Sequence, residues 1–301
     1  MDKRNGIVSM EFKEKLLASH LAFEGGIDLS DPVHQTRLES LKTFEQKGFP
    51  SRKDEAWKYT SLNAMIRNDF ALFPETETTI EIKKVKKYFL YEIDTYKVVF
   101  IDGAYSPFLS DTTHDGLDVC LMSAALSKAK YRKFIDSYFN KITNIKDSLT
   151  ALNTSYTKEG AYIYVPKSVV AEKPIELIHF STGRDKPLWL QPRNLIVVDK
   201  NAQVQILERH QSLKPHEVVT NSVTEIFTHQ DAFLDYYKIQ NDFSTASLID
   251  NTYISQQKNS NVSMHTFSLG GKLTRNNLNF YFKRNNANAT LKGVTILDKK
   301  Q

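Results

Sequence analysis

Gly160-Ala161-Tyr162-Ile163-Tyr164-Val165 opens the stretch that decides the fold. From there to Leu297 the chain reads as one short strand after another: Ala161 to Val165, Ile175 to Phe180, Leu195 to Val198, Val204 to Leu207, Val218 to Phe227, Phe233 to Ile239, Leu248 to Ile254, Val262 to Leu269, Leu278 to Phe282 and Leu291 to Leu297. Most alternate. Val204, Ile206 and Glu208 share one face while Gln203, Gln205 and Leu207 share the other, the period-two pattern of a half-buried strand. Polar clusters such as Thr182-Gly183-Arg184-Asp185, Asp199-Lys200-Asn201 and Asn259-Ser260-Asn261 separate the segments, and these are turn residues. Such a run of strands closes as a sandwich, a barrel or a solenoid, and the alternation does not choose among them.

A chain of 301 residues can bury a substantial core and suggests about two domains. With 41% hydrophobic and 25% charged residues the composition is that of an ordinary soluble protein. Its longest apolar run, Ala161 to Val165, is far short of the roughly 20 residues of a membrane span, so no membrane contact is expected. No apolar stretch follows Lys3 and Arg4, so no secretory leader is read and the chain is expected to be cytoplasmic. The single cysteine, Cys120, permits no internal disulfide and agrees with a reducing compartment. The net charge of +5 is mild. Lys83, Lys84, Lys86 and Lys87, near Tyr88 and Tyr91, read as a solvated helix face. No nucleic-acid-binding module accompanies them, and no nucleic-acid partner is expected.

The N-terminal region, residues 1–73, reads as helical. Ser9 suits the cap of a first helix carrying Phe12, Leu16 and Phe23, stopped by Gly25-Gly26. Ser30-Asp31-Pro32 opens a second helix with Leu38, Leu41 and Phe44 in a stripe ended by Gly48. In the mixed cluster from Gly48 to Thr60, Trp57 and Tyr59 are expected to pack a helix end onto the region beyond, with Arg52 and Glu55 paired at the rim. A polar linker, Pro74 to Thr79, opens a mixed α/β region, residues 74–150. It holds a strand from Tyr96 to Ile101 ended by Asp102-Gly103, a second from Leu117 to Met122, and the clearest amphipathic helix, with Tyr131, Phe134, Ile135, Tyr138, Phe139 and Ile142. That one-sided helix must lie on the strand-rich region, residues 151–301.

Catalytic patterns are scarce. The sequence has no phosphate-cradling glycine loop, no HExxH and no CxxC. In Glu208-Arg209-His210, Glu208 and His210 project from one strand face, where they would touch a metal or a proton, or simply satisfy each other at a strand end. Cys120 lies opposite Leu117, Val119 and Leu121, and a buried inert thiol is its default role. One thiolate cannot supply the four ligands an iron–sulfur cluster usually takes. A β-helix polysaccharide lyase or hydrolase, the alternative reading, needs clustered carboxylates, and Asp231 and Asp235 are not an ordered pair. An acyltransferase hexapeptide solenoid needs a strict six-residue beat with frequent glycine, and no exact repeat runs between Gly160 and Gln301.

Four stretches carry a resemblance. Arg52, Glu55 and Trp57-Lys58-Tyr59-Thr60 form the first, and Leu152-Asn153 with Gly160 to Pro166 and Pro174-Ile175 the second. Pro192-Arg193-Asn194 through Ala202, Val204, Glu208 and His210 form the third, and Gly270 to Leu278 with Leu291-Lys292-Gly293 the fourth. In this order they resemble the SufB/SufD family of the Suf iron–sulfur cluster assembly scaffold, on its SufD side, from about Phe12 onward. The resemblance implies a right-handed parallel β-helix behind a helical and α+β head. It implies a noncatalytic scaffold subunit paired with SufB, with a SufC ATPase on each, whose ATP-driven movement twists the β-helices. It also implies a cluster assembled transiently at the SufB–SufD interface, with none held by this chain alone. Family members continue for another hundred residues or more, so a C-terminally truncated member is expected. The family's cluster-site histidine and SufC-docking segment fall beyond Gln301, so catalytic, cofactor and metal roles are assigned to no residue here.

Overall fold

The computed structural model describes residues 3–27, 31–63, 65–66, 69–72, 82–111, 113–144 and 146–298, with side chains from residue 10 onward. Ser30 and the linker expected from Pro74 to Thr79 lie outside these residues.

Helix α1 (Lys3–Glu24) buries Phe12, Leu16 and Phe23 as the periodicity requires. It starts well before Ser9, which therefore lies inside the helix and not at its N-cap position. The weakest helix former ahead of it, Gly6, costs only about 1 kcal/mol in a helix. Helix α2 (His34–Lys47) ends at Gly48, whose φ of 66° suits glycine. Its inward line is Arg37, Ser40 and Phe44, while Leu38 and Leu41 are only half-buried. The cause is Arg37, which donates from Nε and Nη2 to the Thr157 carbonyl at 3.0 and 2.8 Å and from Nη2 to Asp31 at 3.0 Å. That anchor sets the rotation of the helix.

Trp57 is buried with Trp189, Phe70, Val219 and Ile249, joining the head to the strand-rich half. Tyr59, in contrast, is 89% exposed and packs no helix end. Arg52 and Glu55 are both exposed, and among the described residues no ion pair joins them. The cation that Trp57 meets is Arg275, whose guanidinium carbon lies 4.3 Å from the ring centroid. Arg275→Ala is expected to cost about 0.5–2 kcal/mol in urea unfolding. A lysine at this position should restore part of that loss, and an unchanged midpoint would remove the contact from the list of stabilising ones.

The middle region runs through α3 (Ile82–Lys86), β1 (Tyr96–Ile101), β2 (Ala104–Tyr105), β3 (Asp118–Leu121), α4 (Met122–Ser127) and α5 (Arg132–Tyr138). The lysines around α3 are exposed while Val85 is buried, as a solvated face requires. Met122 begins α4 and does not extend β3. The amphipathic helix stops at Tyr138, short of Ile142. Asn140 turns left-handed at φ 58°, and the backbone N–H groups of Asn140, Lys141 and Ile142 donate to the Glu225 carboxylate at 2.7, 3.0 and 3.3 Å. A buried carboxylate thus takes three donors that a longer helix would have used internally. The apolar side of α5 packs on Tyr162 and Leu195, as its one-sidedness demands.

After α6 (Ser148–Ser155), which Asp147 caps by accepting from the Thr150 N–H at 2.7 Å, the chain winds as a solenoid. Its strands are β4 (Ala161–Val165), β5 (Ile175–Ser181), β6 (Leu188–Leu190), β7 (Arg193–Val198), β8 (Gln203–Ser212), β9 (Val218–Thr228), β10 (Phe233–Asp242), β11 (Ala246–Gln256), β12 (Asn261–Gly270), β13 (Leu273–Phe282) and β14 (Asn288–Ile296). Every segment expected from alternation is present, and β6 is an addition. One sheet has the order β14-β12-β10-β8-β5-β1-β2 and the other β13-β11-β9-β7-β4-β3, with β6 beside β9. Pairing along the coil is parallel from β5 and β4 onward, so the protein is mainly β with a parallel β-solenoid core of about 4 turns behind a helical head. Among the described residues no helix is long and apolar enough to cross a membrane.

The interior divides lengthwise. Val204, Ile206, Leu234, Tyr236, Val262 and Met264 from one sheet meet Ile196, Val198, Ile226 and Ile254 from the other in one apolar cluster. Full burial of such side chains is worth about 1.5–3 kcal/mol each, and this half carries most of the packing energy. The other half is polar yet buried, with Glu208, His210, Lys238, Gln240, Asp250 and Thr252.

Along the apolar half the coil turns a uniform corner. Ser168, Asn201, Asp231 and Asn259 each adopt φ between 56° and 61°, and each donates its N–H to the carbonyl of the next corner: Lys200, Gln230, Lys258 and Asn285. Asn and Asp tolerate this left-handed backbone best after glycine. The opposite corners, 213–217, 243–245 and 271–272, shorten from turn to turn.

Gly160, at the entry to β4, has φ 143°, and a Cβ there would fall 2.0 Å from the Arg193 carbonyl oxygen. Gly160→Ala is expected to cost about 1–3 kcal/mol, read as a lower urea midpoint with an unchanged slope. A wild-type midpoint would refute the close approach.

Candidate functional site

Strand β8 places Glu208 and His210 on its inward face, as period two predicts. The neighbours come from register. In the parallel pairing of β5 with β8, His179 is the partner of His210, and in that of β10 with β8, Lys238 is the partner of Glu208. Asp250 reaches the group from β11 in the facing sheet. The two imidazole rings stack at 11° with centroids 4.7 Å apart, and Phe100 stacks on His179 from the other side at 5.0 Å.

Glu208 is fully buried and richly partnered. Its Oε1 accepts from Asn194 Nδ2 at 3.2 Å, while its Oε2 accepts from Tyr236 Oη at 3.0 Å and pairs with Lys238 Nζ at 2.9 Å. Lys238 also donates to Asp250. Burial alone raises the Glu208 carboxyl, but Lys238, with His210 beside it, outweighs burial and holds the group well below the usual carboxylate range. For Asp250 burial wins over Lys238, and its carboxyl sits above its ordinary value. Lys238 is pushed down by burial and pulled up further by Asp250 and Glu208, so it stays charged. Burial, with His210 and Lys238 beside it, lowers His179 to about 3 and keeps the ring neutral.

The pair read from the sequence is therefore part of a larger buried group. His179, Lys238 and Asp250 were missed, although Ile175-Leu177-His179 and Ile206-Glu208-His210 carry the same alternation one turn apart. The other member of Glu208-Arg209-His210 faces outward from the lumen. Arg209 pairs with Glu176 at 2.5 Å and donates to the Tyr88 carbonyl at 2.8 Å, tying α3's loop to the coil.

Cys120 is half-buried against the Tyr131 and Tyr162 side, with Leu117, Val119 and Leu121 on the other. Burial pushes its thiol up, which disfavours the nucleophilic thiolate. Asp231 is held in a corner by Asn259 and Gln230, and Asp235 accepts from Gln205 on the outer face, so the two acids face no common groove. Glu208 and Asp250, the acids that do come together, are bridged by Lys238 inside the coil, where no sugar chain fits. A carbohydrate-cleaving centre is not favoured.

Comparison with known proteins covers most of the chain. The profile of the SufBD protein N-terminal region matches residues 27–177, and that of the SUF system FeS cluster assembly SufBD core domain matches residues 179–301. An iron–sulfur cluster assembly SufBD family protein of Synechocystis is 26% identical over 260 residues, 84% of this chain and 57% of the relative. The iron–sulfur cluster assembly protein SufD of Escherichia coli is 23% identical over 286 residues, 91% of this chain and 60% of the relative. Its Bacillus subtilis namesake is 23% identical over 214 residues, covering 68% and 47%. The chain thus spans about half of the length of the curated relatives it matches.

Proposed function

Because this chain belongs to the SufB/SufD family of iron–sulfur cluster assembly proteins, we propose that it serves as a SufD-type scaffold subunit, noncatalytic in itself, in a cytoplasmic Suf machine. In this reading it pairs with a SufB-type subunit, and SufC-type ATPases drive the conformational change that lets iron and sulfide combine. The cluster is cargo, formed transiently between the two scaffold subunits. ATP hydrolysis belongs to the SufC-type partner. The observation that carries the reading is the succession of the two family profiles over residues 27–177 and 179–301, head and coil in the family's order. The relatives that bear the name SufD support that side of the family. The buried, lysine-bridged carboxylates support a structural role for the coil and not hydrolysis.

Co-expression of the tagged 301-residue chain with the SufB-type and SufC-type proteins of the same organism tests it. Co-purification of the SufB-type subunit is expected, with ATP turnover appearing only in fractions that contain the ATPase. Recovery of the folded chain free of the SufB-type subunit would overturn the assignment.

A further inference from the structure

We propose that His179, Glu208 and His210 form a binding site for one divalent transition-metal ion inside the solenoid. This goes beyond the scaffold reading and does not depend on it. Each residue offers one ligand atom, and the three atoms lie within 4.8 Å of one another. His179 Nε2 is 3.8 Å and His210 Nε2 3.7 Å from the same oxygen, Glu208 Oε1. Both nitrogens are buried and have no hydrogen-bond partner, although buried nitrogens are almost always satisfied.

Those separations are too long for hydrogen bonds, which need about 2.7–3.2 Å. They suit an ion between the ligands, since bonds of about 2.0–2.2 Å to nitrogen and oxygen set ligand atoms roughly 3.4 Å apart in a tetrahedral site. Shifts of under about 1 Å, with the two rings turning out of their stack, bring all three onto one centre. The outer shell is already built. Asn194 holds Oε1, and Tyr236 with Lys238 holds Oε2, so the carboxylate is fixed with one oxygen toward the imidazoles. Charge favours a cation too, because two buried carboxylates, Glu208 and Asp250, face the single ammonium of Lys238. A cavity of about 20 Å³ lined by His179, Ser181, His210 and Asp242 adjoins the group and has room for one water-sized ligand in the fourth position. Two imidazoles and one carboxylate select the zinc, cobalt and iron class over calcium or magnesium.

Metal-free chain titrated with zinc chloride is expected to bind one ion per chain in calorimetry, and cobalt(II) should give the visible bands of a low-coordinate site. His179→Ala and His210→Ala should each abolish this binding, and Tyr236→Phe should weaken it roughly tenfold through the outer shell. His265→Ala, a change outside the group, should leave it intact. Should the histidine variants fail to fold, X-ray absorption on the zinc-loaded wild type decides the matter: two imidazoles with an oxygen ligand are expected. Fewer than two imidazoles, no binding, or binding retained in both folded alanine variants would overturn the site.

Discussion

Glu225→Ala is expected to lower the free energy of unfolding by roughly 3–5 kcal/mol, because it breaks a buried ion pair from one side. Glu225 and Arg193 are both 0% exposed and meet at 2.5 Å. The same carboxylate receives the N–H groups of Asn140, Lys141 and Ile142. Removing it leaves a guanidinium stranded between Thr154 and the Phe139 ring, and frees the segment after α5 from the sheet. Arg193→Met combined with Glu225→Leu should recover part of the loss, since an apolar pair restores packing without an orphan charge. Urea unfolding followed by circular dichroism reads both variants. A single-variant loss below about 1 kcal/mol would show that water or a neighbour takes over the guanidinium.

Lys238→Met should be comparably damaging at neutral pH, again by roughly 3–5 kcal/mol, but its cost should depend on acidity. The change leaves Glu208 and Asp250 facing each other without the ammonium that both now bind. Asp250 already titrates above its unfolded value, so its folded form takes up a proton before the unfolded chain does. Stability then rises as pH falls through that range. Glu208 in the wild type works in the opposite sense. Its depressed carboxyl contributes stability that is complete above the unfolded carboxylate value and fades as pH falls toward the folded one. The wild-type and Lys238→Met curves should therefore converge on acidification from pH 7 toward about pH 4. A constant gap across that range would mean that the carboxylates are not the source of the penalty.

The coil was legible in the sequence one strand at a time but not as a coil. Alternation in Val204-Gln205-Ile206 and the Asn and Asp punctuation marked the strands, since both are properties of adjacent residues. Parallel stacking joins residues a whole turn apart, such as His179 with His210, and shape complementarity between turns needs no repeated identities. The solenoid was therefore one option of three until the family resemblance selected it. Strand β6 escaped notice because only four residues lie between Pro187 and Pro192, too few for a period to show. Local patterning overran at Ile142, where Glu225, distant in sequence, captures the backbone. It misjudged α2 because a buried arginine, not a leucine, fixes the helix. For the site, Glu208 and His210 were visible on one strand, whereas Lys238 and Asp250 are brought in by register and by the facing sheet.

The corner built on Ser168, Asn201, Asp231 and Asn259 acts as a ruler, since each left-handed residue hangs from the carbonyl of the turn above. A residue added there would break a chain of hydrogen bonds and shift a neighbouring strand by one, turning its core face outward. The far side is tethered where its corners leave the strands, by the Leu213 N–H on the Ser181 carbonyl and the Gly271 N–H on the Asp242 carbonyl, and its connections already differ in length. Inserted residues are thus better accommodated within 213–217 and 243–245, whose lengths already vary, than along the flank that carries the ruler.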